Sequence, residues 1–439
     1  MAGSGRTRSA SGWGAAARLR IPAVTLGVTV LAFAAGTLLF SSSGCKGNSD
    51  DARANVPTVS IPDLDRSIRV LLLDRIGACE IAAPEPFEVI DLTTGNLLLR
   101  SDPQIPLKVR FEGSRIVLLP LERHFETAAI EIVPTGSRPL QIGMPKGPVE
   151  VSGTLRFIPQ GPSAGAVVNV LDMETYLLGV LPPEMPASFH EEAMRAQAIA
   201  ARTYAWYNKL SRPESSDWDV KATESSQMYI GLPRRMTPEA ERAVKETAGL
   251  VCTWNAPEGE RIFCTYYSST CGGCTQDAGP VKNDARIPPL AGGVRCEWCK
   301  DSPSYRWEPV RLEKRFITMR LREKYSLFRS LGLIDSITVI QSTPEGRPVR
   351  FLLKDEVGRT AELEAENFRL AVNPDGRTLR STWFTPVIER QHILFTDGRG
   401  FGHGMGLCQY GADGLARAGK NALEILAYYY PGSQVTRAY

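Results

Sequence analysis

Apolar positions repeat with different periods in different parts of the chain. The first pattern is an unbroken run, Ile21 to Phe40. It carries no charge and is long enough to cross a bilayer. A polar stretch with scattered prolines follows over residues 46–66 and reads as a tether. From residue 67 the apolar runs shorten to strand length. Ile68-Arg-Val-Leu-Leu-Leu73, Phe87-Glu-Val-Ile90, Leu107-Lys-Val-Arg-Phe111, Ser114-Arg-Ile-Val-Leu-Leu119 and Ala129-Ile-Glu-Ile-Val133 are separated by turn residues, which predicts a mainly β segment over 67–160. Ala166-Val-Val-Asn-Val-Leu171 is a further strand.

The period then changes. Met194, Ala198, Ala201 and Ala205 share one face of a helix predicted from about Phe189 to Lys209, with Ser188 as N-cap and Glu191 completing a capping box. A second helix is predicted from Thr237 and Pro238, with Gly249 just past its end. Residues 252–267 read as β. Beyond 305 a helix at about Leu312–Glu323 mixes with strands at Ile337–Ile340 and Val349–Leu353. A last helix runs from about Ala422 to Tyr430 and stops at Pro431-Gly432. The interleaving predicts an α+β fold with mixed sheets and a few helices, in consecutive blocks 67–160, 161–304 and 305–439.

Charge changes the picture mainly at the N-terminus. Among 439 residues the formal net charge is +3, too small to indicate nucleic acid. Arg6, Arg8, Arg18 and Arg20 all precede the apolar run, and no acid accompanies them. That asymmetry marks residues 1–45 as an export signal or membrane anchor. Ser41-Ser-Ser-Gly-Cys45 resembles a lipoprotein cleavage site, which leaves a lipid on Cys45, an uncleaved anchor and a cleaved signal as alternatives. Each sends the folded part to the extracytoplasmic side of the cell envelope.

Candidate chemistry concentrates in three places. Val180-Leu-Pro-Pro-Glu-Met-Pro186 sets one carboxylate among three prolines, in what reads as a stiff loop. Its apolar neighbours would raise the pKa of Glu184, whereas the start of the following helix would lower it. Asp397-Gly-Arg-Gly-Phe-Gly-His-Gly-Met-Gly-Leu-Cys-Gln-Tyr-Gly411 is rich in glycine, and no Lys-Ser/Thr pair follows to make a phosphate loop. His403, Gln409 and Tyr410 offer polar and stacking groups there, for substrate or for a tight structural turn. Cys271-Gly-Gly-Cys274 and Cys296-Glu-Trp-Cys299 have nearly the spacing of a structural zinc site, with disulfides as the alternative in an exported protein. Cys79, Cys252, Cys264 and Cys408 are isolated and read as packing residues.

Tyr176-Leu-Leu-Gly-Val-Leu-Pro-Pro-Glu-Met-Pro186, followed by Ala193-Met-Arg-Ala-Gln-Ala-Ile-Ala-Ala-Arg-Thr-Tyr-Ala205, resembles the central signature of the SpoIID/LytB family. Gly400 to Ala412 resembles its second signature. The likeness runs from about Ile68 to Pro431. It implies that Glu184 is the catalytic acid/base of a peptidoglycan lytic transglycosylase. Such an enzyme cleaves the MurNAc–GlcNAc bond, preferably on denuded strands, and leaves 1,6-anhydro-MurNAc ends without any cofactor in catalysis. It further implies that His403, Gln409 and Tyr410, and more weakly Arg202 and Tyr204, face a substrate cleft. Some relatives bind zinc near the first cysteine pair through cysteine and histidine. Here Ser268 and Cys274 stand where those histidines stand, so Cys271, Cys274, Cys296 and Cys299 form the expected ligand set. LytB-like members are described as amidase enhancers, which implies a non-catalytic alternative: a glycan-binding partner of a cell-wall amidase.

Overall fold

The structure, a computed structural model, describes residues 65–233, 237–282, 287–373 and 376–439. The expected anchor at 1–45, Cys45 with it, and all but the end of the polar linker lie outside the described residues. Among the described residues no helix is long and apolar enough to cross a membrane.

The fold is α+β and rich in sheet; its largest sheet mixes parallel and antiparallel pairs, and the others of three or more strands are antiparallel. The β segment forms two sheets. One has seven strands, in the order Val220–Lys221, Ser67–Ile76, Gly165–Asp172, Thr154–Pro159, Ile130–Pro134, Phe87–Asp91, Leu97–Ser101; its first pair is parallel. The other has six: Gly147–Val151, Leu140–Met144, Ala78–Ala83, Gln104–Glu112, Arg115–Leu119 and Arg123–Glu126. Alternation explains the inward faces. In Gln104–Glu112, Leu107, Val109 and Phe111 are buried while Lys108, Arg110 and Glu112 are exposed. Gly165–Asp172 is buried on both faces, as an inner strand should be.

Among the described residues seven helices have eight or more residues: α1 (Met173–Glu184), α2 (Glu191–Ser211), α3 (Pro238–Glu246), α4 (Lys314–Lys324), α5 (Ala365–Val372), α6 (Gln409–Arg417) and α7 (Ala422–Tyr429). α3 starts at Thr237-Pro238 as its sequence signals predict, and Gly249 has positive φ. α2 begins at Glu191, and its N-cap is His190 rather than Ser188; the imidazole accepts the Glu192 N–H at 3.2 Å. α2 is also buried on more than the one predicted face. Alanines at 193, 196, 198, 200, 201 and 205 are fully covered because other elements approach it from several sides. Small side chains permit that approach.

Two large apolar cores form among the described residues, beside a small cluster of Leu71, Ala166 and Val168. One unites the β segment with α1, α2, α3, α6 and α7. The other lies within 307–395, around Phe351, Phe368, Phe384 and Phe395. The block 305–439 is therefore divided, because 405–438 packs into the first core.

Candidate active site

Asp172 caps α1 by accepting the N–H groups of Glu174 and Thr175. Met173, Tyr176, Leu177, Val180 and Leu181 form its buried stripe. The helix runs through Pro182 and Pro183, and Glu184 is its last residue. The expected stiff loop is thus a final helical turn. By the i to i−4 rule the two prolines take the N–H partners from the Leu178 and Gly179 carbonyls inside the helix, a loss that another donor can offset. The carbonyl that Pro183 leaves open, that of Gly179, accepts the Ile230 N–H at 3.2 Å. That bond pins the segment Gln227–Gly231 beside α1. Gly179 has no room for a side chain, since a Cβ would lie 2.4 Å from the Gly231 carbonyl oxygen.

The pinned segment serves the carboxylate directly. The Met228 N–H donates to Glu184 Oε1 at 3.0 Å. Gln409 Nε2 lies 3.4 Å from Oε2. The Tyr267 hydroxyl also hydrogen-bonds Glu184. Behind it, Gln227 donates to the Tyr267 hydroxyl at 3.0 Å and to the Ala201 carbonyl at 3.1 Å, and accepts from Tyr176 at 3.0 Å. The two sequence signatures meet through a short parallel pair, Tyr267–Ser268 with Leu407–Cys408. Gln409 follows that pair as the first residue of α6, so the pairing sets its distance from Glu184.

Glu184 is partly exposed at its rim, yet burial of its carboxyl raises its pKa above the ordinary carboxylate value. The Met228, Gln409 and Tyr267 hydrogen bonds oppose this, and the negative charge of Glu224 adds to it. The helix dipole acts in the same upward sense, because Glu184 sits at the C-terminal, negative end of α1. A carboxyl held this way is a better proton donor than a solvated one, and once ionised it can take a proton back.

The other expected site residues divide. Tyr410 is partly exposed, with its ring edge-on to Phe189 at 5.0 Å and its N–H on the Ser269 carbonyl. His403 lies in the glycine turn; its Nδ1 accepts the Met405 N–H at 3.0 Å, and its ring packs edge-on to Tyr266. It lines a small cavity with Gln276, Glu364, Glu366 and Thr382. Arg202 is not in the cleft. It is fully buried, bonded to both Glu174 oxygens at 2.8 and 2.6 Å and to the Leu250 carbonyl at 3.1 Å. Glu174 is in turn held by the Gly249 N–H and the Tyr439 hydroxyl. The pair ties α1, α2 and the C-terminus together. Tyr204 stacks edge-on against Tyr266 and Tyr267.

The cysteines regroup. Cys271, Cys296 and Cys299 lie with Cys408, not Cys274, their sulfurs all within 4.8 Å of one another. Cys274 instead makes an isolated bridge with Arg295. Sequence spacing shows the two C-x-x-C pairs but carries no sign of Cys408, which comes from a distant segment.

Gln227, Met228 and Tyr267 also carried no local signal, apart from Tyr267 lying just before the first cysteine pair. Arg347 is another residue that only the fold reveals. Its buried guanidinium donates to the carbonyls of His403, at 3.2 Å, and of Cys271, joining the glycine turn to the cysteine loop. Gly404 makes this possible: its φ is +76°, and a Cβ there would come within 2.6 Å of the Arg347 guanidinium.

Residues 163–254, which span α1, α2 and α3, match the family model SpoIID, described as Stage II sporulation protein. An uncharacterized protein of Brachyspira hyodysenteriae is 31% identical over 300 residues, covering 67% of this chain and 74% of the relative. Stage II sporulation protein D of Bacillus subtilis is 28% identical over 67% of this chain and 82% of its own length. An amidase enhancer of the same organism is 27% identical over 59% of this chain and 40% of its own length. With its glutamate signature and its glycine–histidine signature meeting at Glu184, the chain belongs to the SpoIID family.

Proposed function

We propose that the protein is a peptidoglycan lytic transglycosylase with Glu184 as its single acid/base. The supporting observation is the Glu184 carboxyl itself, partly buried at the end of α1, raised in pKa and oriented by Met228, Gln409 and Tyr267. Ordinary glycosidases use two carboxyls. A transglycosylase needs one, because the MurNAc residue supplies its own nucleophile. Protonated Glu184 gives its proton to the glycosidic oxygen as the bond to the anomeric carbon breaks. The C6 hydroxyl oxygen bonds to that carbon, and its proton passes to the Glu184 carboxylate, restoring the acid. The products are a free GlcNAc 4-hydroxyl and a 1,6-anhydro-MurNAc end. Gln409 and Tyr267 keep the carboxyl aimed through both transfers. In this reading Tyr410 and His403 position the glycan chain, Tyr410 through its partly exposed ring.

Such a substrate lies outside the cytoplasmic membrane. The basic residues ahead of Ile21–Phe40 support export, with a lipid on Cys45, an uncleaved anchor or a cleaved signal as the three forms it can take. A second reading rests on the likeness to an amidase enhancer: the same cleft binds glycan without cleaving it and stimulates a cell-wall amidase. Incubation of the purified chain with denuded glycan and mass spectrometry of the products separates the two. Anhydro-ended fragments support the transglycosylase. Intact strands, together with stimulation of an added amidase, support the enhancer.

A further inference from the structure

The sulfurs of Cys271, Cys296, Cys299 and Cys408 converge from three separate segments into one group. All four residues are fully buried. Cys271 Sγ and Cys299 Sγ are 3.7 Å apart. A disulfide would bring two sulfurs to about 2.05 Å. Sulfurs around a tetrahedral zinc, each about 2.3 Å from the metal, lie about 3.8 Å from one another. The surroundings suit thiolates: the Cys271 N–H points at Cys408 Sγ at 3.2 Å, and the Tyr429 hydroxyl lies 3.0 Å from Cys296 Sγ. Gly411 leaves the space this needs, because a Cβ there would come within 2.6 Å of Cys296 Sγ and 1.9 Å of the Tyr429 oxygen.

We infer that Cys271, Cys296, Cys299 and Cys408 form a closed tetrathiolate zinc site, and that this site holds the catalytic segments in register. Tetrahedral sulfur donors suit zinc or iron. Four buried cysteine ligands with no open position are the usual shell of a structural zinc. The placement gives the role its content. Cys408 pairs with Ser268 and immediately precedes Gln409, while Cys271 follows the Tyr267–Ser268 strand. Metal–sulfur bonds at 271 and 408 therefore clamp together the two segments that carry Tyr267 and Gln409 to Glu184. The chemistry of the site does not depend on the reaction proposed above, because ligand identity is read from metal content and not from turnover.

The test uses the full chain purified without chelators. Elemental analysis should find about one zinc per chain, and X-ray absorption should find four sulfurs at about 2.3 Å. C274S should keep its zinc, and so should E184Q. C408S should lose most of it. Zinc retained by C408S and lost by C274S would overturn the ligand set. A metal-free wild type with its thiols oxidised, iron in place of zinc, or a shell containing nitrogen or oxygen would overturn the site. The absorption measurement needs no variant, so misfolding of C408S does not blunt it.

Discussion

At the scale of single residues, Glu184 combines a raised pKa with three hydrogen-bond donors, and the two features have separable consequences. A carboxyl whose folded pKa exceeds its unfolded value binds more protons in the native state than in the unfolded state. Stability therefore falls as pH rises from the unfolded value, near 4.3, through the folded value. Glu184→Gln should melt higher than wild type at pH 7, and the difference should vanish below about pH 4. Thermal melts across that range check this, and equal melting temperatures at pH 7 would contradict a raised pKa. The same variant should lose at least about 100-fold in turnover, since it can neither give nor take the proton. Gln409→Ala removes one orienting donor and leaves the acid in place. It should cost about tenfold in kcat, the worth of one hydrogen bond to a charged group, with KM nearly unchanged. Arg202 obeys a different logic. Its removal empties a fully buried position and takes the guanidinium partner from half-buried Glu174, so Arg202→Ala should cost about 3 kcal/mol in urea denaturation, the low end for a buried pair.

At the scale of elements, the end of α1 is where local reading and fold part company. Three prolines around Glu184 indicate a break, and an interior proline usually is one. Here Pro182 and Pro183 fall in the last turn, where they free carbonyls without ending the helix. The freed Gly179 carbonyl recruits Ile230, and so Met228 reaches Glu184. Pro183→Ala would supply an N–H that competes for that carbonyl. Because Pro183 is exposed, stability should change by less than about 1 kcal/mol. Turnover should nevertheless fall several-fold, as measured by kcat beside the melting temperature. The strands of 67–160 were legible because alternation at period two is a local property. α3 was legible through Thr237, Pro238 and Gly249. The depth of α2 was not, because coverage on several sides is a property of its neighbours. Arg202 lies on a helix whose apolar spacing suggests one buried face, and only the tertiary fold encloses it with Glu174.

At the scale of the whole molecule, the site is assembled from segments more than 200 residues apart, Glu184 at one end and Gln409 at the other. The pairing of Tyr267–Ser268 with Leu407–Cys408 closes that distance. Sequence motifs name the partners, but no spacing rule says that Cys408 rather than Cys274 completes the sulfur group. Long-range closure of this kind stabilises only if something holds the ends. A strong chelator should therefore lower the melting temperature of the wild type and of C274S but leave that of C408S unmoved. The proposed reaction needs one carboxyl, at the end of α1, for both proton transfers. The most direct measurement is mass spectrometry of the products from denuded glycan, wild type against E184Q at equal folded concentration. The account predicts 1,6-anhydro-MurNAc ends from the wild type and intact strands from the variant. Anhydro products at wild-type rate from E184Q, or hydrolytic reducing ends from either protein, would contradict it.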